Sequence, residues 1–208
     1  MGKLQPNLQR AKRAIFLEWL VLLIVTISLI YFLISFLLIN ITNQVVLNIY
    51  ISISFPLIVL GVLLNILSMI AFILWLYRAY YNLHQLVANL NYGVGWVVGC
   101  WFVPILNLYR PCGLIQDLFE KTTGLLKKNN PDIHSGLSFN LVGFWWISFI
   151  ALMILRFIPN TTSVILSVSI IGIVSSLLQI KIIKVYSKVE SLLVNIEVNN
   201  QKEIIEVG

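Results

Sequence analysis

Four apolar runs, 15–39, 49–76, 137–158 and 162–183, contain between them only three charged side chains, Glu18, Arg156 and Lys181. A bilayer core of about 30 Å asks for roughly 20 apolar residues per crossing helix, so each run is long enough to span. Within the membrane every backbone N–H and C=O must be paired inside the segment, which restricts runs of this kind to helices. The whole chain has 59% hydrophobic and 11% charged residues, with a mean hydropathy of +0.93. Soluble domains carry about 25% charged residues. The reading is an all-α integral membrane protein, a single membrane domain over 1–208 with four transmembrane helices.

Basic residues orient it. Four Lys or Arg precede the first run, none lies in loop 40–48, five lie from Arg78 to Lys128, none lies in 159–161, and four follow from Lys181 onward. By the positive-inside rule both termini and the long 77–136 loop face the cytoplasm, which requires an even number of crossings. The net charge of +6 thus reads as topology, and no soluble region is large enough to present a basic face to nucleic acid. Residues 1–14 read as a basic interfacial helix, and 184–208 as an amphipathic tail for the membrane surface or a partner. Glu18 stands near the start of its run, where it can reach the interface.

The stretch 93–109 interrupts this pattern. It is apolar, but it carries Gly93, Gly95, Gly99 and Pro104, and Arg78 and Arg110 flank it. Crossing here would make five spans and strand a basic group outside, and 17 residues of helix reach only about 25 Å. The expected form is a re-entrant or interfacial element on the cytoplasmic side. All six tryptophans, with Tyr77, Tyr80, Tyr81, Tyr92 and Tyr109, fall at that side and read as an aromatic interface belt. Cys100 and Cys112 read as thiols in a reducing compartment, and two cysteines without a histidine pair make no zinc site.

The run Trp75-Leu-Tyr-Arg-Ala-Tyr-Tyr-Asn-Leu83, followed by Gly95-Trp96 and Trp101-Phe-Val-Pro-Ile-Leu-Asn-Leu-Tyr-Arg-Pro111, resembles the domain-of-unknown-function 4328 family. The resemblance implies a bacterial multi-pass protein of the inner membrane and carries no activity. Cys112-Gly113 and Asp117-Leu-Phe119 depart from the aromatic and acidic pattern of such relatives after the proline.

The candidate site is tied to the same stretch: Arg78, Asn82, Trp96, Trp101, Asn107 and Arg110, taken as ligands for an anionic headgroup. Arginine's planar fork suits phosphate, and glycine lets backbone amides approach closely. The plain alternative is that both arginines snorkel to ordinary lipid phosphates. His84, with Asp117 or Glu120, is the only acid–base candidate, and it matches no catalytic spacing. Arg156 reads as snorkelling to the outer headgroups, and Asn65 and Gln179 as interhelical hydrogen bonders. Without a buried Asp or Glu expected in the spans, ion-coupled transport is disfavoured. Asn40-Ile-Thr42 and Asn160-Thr-Thr162 match glycosylation sequons by coincidence. No cofactor motif is present. The expected function is a non-enzymatic scaffold or sensor engaging anionic lipid or a protein partner, with an oligomeric channel or transporter as the alternative.

Overall fold

A computed structural model describes residues 4–38, 44–87, 89–129, 132, 135–159 and 161–207, with side chains excepted at 38, 44–47, 50 and 194–207. Lys3, residues 40–43 with the whole of the first sequon, Asn160 of the second and the side chain of Ile196 therefore lie outside the described set, while 44–48, expected as loop, already belong to a helix. The described residues form helices α1 (Leu8–Leu38), α2 (Gln44–Leu86), α3 (Trp96–Gly99), a 3-10 turn (Leu106–Leu108), α4 (Arg110–Asn129), α5 (Phe139–Leu155) and α6 (Thr162–Val207). No strand occurs among them.

Three of these helices are long and apolar enough to cross a membrane, over Leu8–Leu37, Ile51–Leu86 and Thr162–Leu193. The fourth expected span is the shorter apolar helix α5, of 17 residues. It starts late because Gly136 turns the chain at φ +65° and Ser138 is extended.

The breaks expected after residue 14 and after residue 183 are absent: α1 takes in the basic residues from 8 to 14, and α6 runs on past residue 183 without interruption. α2 continues through Pro56 to Leu86. No Gly or Pro stands in 77–86 or 181–207 to end either helix, and helix propagation adds one bond per residue wherever nothing breaks it.

α1 packs against α2 and α6, and α5 against α6. Cross-links fix the senses. Arg10 Nη1 donates to Leu74 O at 3.0 Å, and Asn7 Nδ2 donates to Glu190 Oε2 at 3.0 Å. The start of α1 thus meets the later parts of both α2 and α6, so α1 runs antiparallel to each.

The core collects at that same end. Phe72, Trp75, Trp101, Trp145, Phe119 and Tyr186 interlock there, with Phe72 against Trp145 at 5.4 Å and Phe119 stacked on Tyr186 at 6.0 Å. The aromatic belt therefore needs correction. Trp75, Trp101, Trp145, Trp146 and Tyr80 are buried, and only Trp19 and Trp96 among the tryptophans are exposed. Rings of this size gain most by burial and edge-to-face contact, which here outweighs an interfacial position. Away from this packed end, Leu23, Ile27, Ile30, Phe55, Ile58, Leu63, Ile66 and Ile170 stay exposed. A continuous apolar surface of that extent suits lipid rather than water.

The tail is also corrected in part. Val189 and Leu193 of α6 pack with Leu126 of α4, so these two residues of the tail are covered by the chain's own helix.

Candidate functional site

The stretch after α2 is placed by a buried carboxylate. Asp117 on α4 accepts from the Tyr80 hydroxyl at 2.6 Å, from Asn91 Nδ2 at 2.6 Å and from the Asn91 backbone N–H at 3.3 Å. The Tyr80 oxygen in turn accepts the Tyr92 N–H at 3.3 Å. Tyr92 then lies so close to α4 that a Cβ on Gly113 would stand 2.7 Å from its hydroxyl. Glycine at this position spares Tyr92 a shift.

From Gly93 the backbone makes short helical turns. Gly99 N–H donates to Gly95 O at 3.0 Å, and Asn107 N–H to Val103 O at 2.8 Å. α3 has four residues and the 3-10 turn three, so 93–109 contains no helix long enough to cross a bilayer. Val97, Cys100 and Trp101 face the core, while Phe102 and Ile105 are 76% and 72% exposed. Trp146 Nε1 on α5 donates to Leu108 O at 2.9 Å and ties the far side of the stretch down.

Arg110 closes the element. Its guanidinium lies 4.5 Å from the Trp96 ring centroid and 5.5 Å from that of Tyr92. Cation–π contacts of this kind are worth about 0.5–2 kcal/mol, more when desolvated. Residues 92 and 96 stand at the entry of the stretch and 110 at its exit, so the chain returns to where it left. Arg110 Nε, Trp101 Nε1 and Asn107 Oδ1 are all buried without a hydrogen-bond partner among the described residues. Burial pushes the Cys100 thiol up to about 11 despite the positive charge of Arg110, and it raises Cys112 as well. Both stay neutral thiols at physiological pH and are poor nucleophiles.

The six expected ligands divide into two groups. Trp96, Trp101, Asn107 and Arg110 belong to the stretch just described. Arg78 and Asn82 lie elsewhere on α2. At 3.6 residues per turn Arg78 points away from Tyr80 by about 160°, and its charge lies near that of Arg10. Asn82 accepts from Gln5 N–H at 3.0 Å, and its Nδ2 donates to Gln5 O and to Glu190 Oε1, each at 2.9 Å. Its side chain is occupied in a clasp between the chain ends. His84 is exposed, and the partner expected for it, Asp117, is held by Tyr80 and Asn91.

Sequence reasoning missed one feature and misread another. The Glu190 clasp had no local signal, since its members are up to 183 positions apart. Glu18 does not reach the interface: it is 5% exposed, and the expectation that the spans hold no buried carboxylate is overturned. Its spacing was the available signal, because Ala11, Ala14, Glu18, Val21 and Ile24 form one buried stripe at helical intervals. Gln179 bonds between helices as expected, whereas Asn65 bonds back to Gly61 O in its own helix.

Among the described residues the only regular structure is helical, and three helices are long and apolar enough to cross a membrane, which points to a membrane protein. Residues 41–189 match the family described as a domain of unknown function (DUF4328), and the chain belongs to it. No curated protein and no solved structure matches the chain.

Proposed function

We propose that this is a four-span protein of the bacterial inner membrane with both termini in the cytoplasm. In this reading 93–109 enters the cytoplasmic leaflet and the protein serves as a non-catalytic scaffold or sensor that holds an anionic lipid headgroup. The carrying observation is Arg110, bracketed by Trp96 and Tyr92 with a buried, unpartnered Nε. A guanidinium held flat on two rings keeps one edge for a phosphate oxygen. The exposed Phe102 and Ile105 beside it give the element an apolar tip for the acyl region. α5 is read as the fourth crossing because the apolar run around it, 137–158, is 22 residues long and Arg156 near its end can snorkel to the headgroups.

Lipid analysis of the purified protein tests this. Native mass spectrometry finds anionic phospholipid retained by the wild type, reduced at least tenfold in Arg110→Ala and partly kept in Arg110→Lys. Equal retention in all three rejects the site.

The alternative, an oligomeric channel or transporter with the stretch lining a pathway, draws on the irregular backbone, which at membrane depth must be covered by protein or line water. The apolar character of Phe102, Ile105 and Leu108 favours lipid instead. Ion flux in liposomes that Arg110→Ala alters would favour the channel.

A further inference from the structure

Glu18 stands in the middle of the packing stripe of α1, where Ala11 and Ala14 let the neighbouring helices close in. Its side chain meets both of them. The Ser68 hydroxyl of α2 donates to Oε2, Gln179 Nε2 of α6 donates to the same oxygen at 3.1 Å, and the buried Ser176 of α6 stands beside them. Behind them Trp145 Nε1 of α5 donates to Gln179 Oε1 at 3.3 Å. An indole N–H can only donate, so it fixes the amide with its NH2 toward Glu18.

Among the described residues no cation balances this carboxyl: the groups facing it are the neutral Ser68, Ser176 and Gln179. Lys184, further along α6, lies over the ring of Trp19 at 5.5 Å. A carboxylate withdrawn from water without a counter-charge costs more than neutral hydrogen bonds restore, and inside a membrane the penalty persists. Neutralisation requires a proton or a metal cation. A metal ion needs lone pairs, whereas Gln179 turns its NH2 and Ser68 its hydroxyl hydrogen toward Glu18. The surroundings suit a carboxyl whose Oε2 accepts and whose other oxygen carries the proton.

We propose that Glu18 is a proton-binding site among the membrane helices, enclosed by Ser68, Ser176 and Gln179, whose neutral form holds α1 against α2 and α6. Uptake forms one O–H bond on the carboxylate from a solvent proton and breaks no bond in the protein. Release leaves a buried anion, which favours loosening of α1 and entry of water. The site is independent of Arg110 and of the lipid reading.

Infrared titration of the full chain in nanodiscs tests it. At neutral pH the wild type shows a protonated carboxylic C=O band that Glu18→Gln lacks, and raising the pH removes it. Stability carried by a bound proton is present at low pH and lost as pH rises, so the wild-type melting temperature falls over the same range while that of Glu18→Gln does not. Ser68→Ala, which removes one donor, moves the band to higher frequency; this readout stands even where Glu18→Gln does not fold. A neutral-pH band that Glu18→Gln leaves intact, a band that Ser68→Ala leaves unshifted, or a wild-type melting temperature that does not fall as the band disappears would overturn the proposal.

Discussion

Gly113 and Asp117 show how two side chains on one face of α4 set the start of the 93–109 stretch. Asp117 pulls Asn91 and Tyr80 inward, and Gly113 leaves room for the Tyr92 hydroxyl. A methyl at Gly113 would meet that oxygen at 2.7 Å, so Tyr92 must move and its ring must part from Arg110. Overpacking of this kind costs about 1–3 kcal/mol. Gly113→Ala is therefore expected to lower the melting temperature and, because it breaks one of the two rings that hold the guanidinium, to weaken lipid retention. A protein with unchanged melting and unchanged lipid content would show that Tyr92 does not position Arg110. Arg110 and its aromatic neighbours were legible in the sequence as a Trp- and Gly-rich stretch next to an arginine. Pairing Arg78 with Arg110 was not, since flanking in sequence says nothing about which face of α2 each residue occupies.

The long helices were legible because apolar runs without charges admit few structures, and the interruption at 93–109 was legible from its glycines and proline. Helix ends were harder. Lys181, Lys184 and Lys188 suggest a surface helix, but charge alone does not end a helix, and α6 continues because Tyr186, Val189 and Leu193 still have the interior to pack against. Glu18 was misread for a related reason: a lone charge near the start of a span can snorkel outward or turn inward, and the choice depends on Ser68 and Gln179, which are distant in sequence. The backbone bonds of the 93–109 element close only short turns, so its placement depends on anchors such as Trp146 Nε1 to Leu108 O. Trp146→Phe keeps most of the ring packing and removes that part-buried hydrogen bond, at a cost of about 0.5–1.5 kcal/mol. Hydrogen exchange should then quicken at Leu108 and Tyr109 while the α2 amides near Trp75 stay protected. Unchanged exchange at both positions would place the anchor elsewhere.

At the scale of the molecule, the chain ends decide the topology. Asn7 and Glu190 touch, and Gln5 is held by Asn82, so the entry to α1 and the far part of α6 share one end of the bundle. If α1 and α6 both cross the membrane, the number of crossings from one to the other must be even. The 93–109 stretch supplies none, having no helix of sufficient length, so α2 and α5 remain to make the other two. That argument predicts opposite exposure for two positions that are both exposed in the structure, Lys127 at the end of α4 and Ser163 at the start of α6. In a background with Cys100→Ala and Cys112→Ala, Lys127→Cys should react with an impermeant maleimide only after the inner face is opened, and Ser163→Cys should react in intact cells. Reaction of both from one side would mean that α5 and α6 form a hairpin that does not cross. It would reduce the spans to α1 and α2 and leave the apolar surface around Ile170 and Val174 to be covered by something other than lipid.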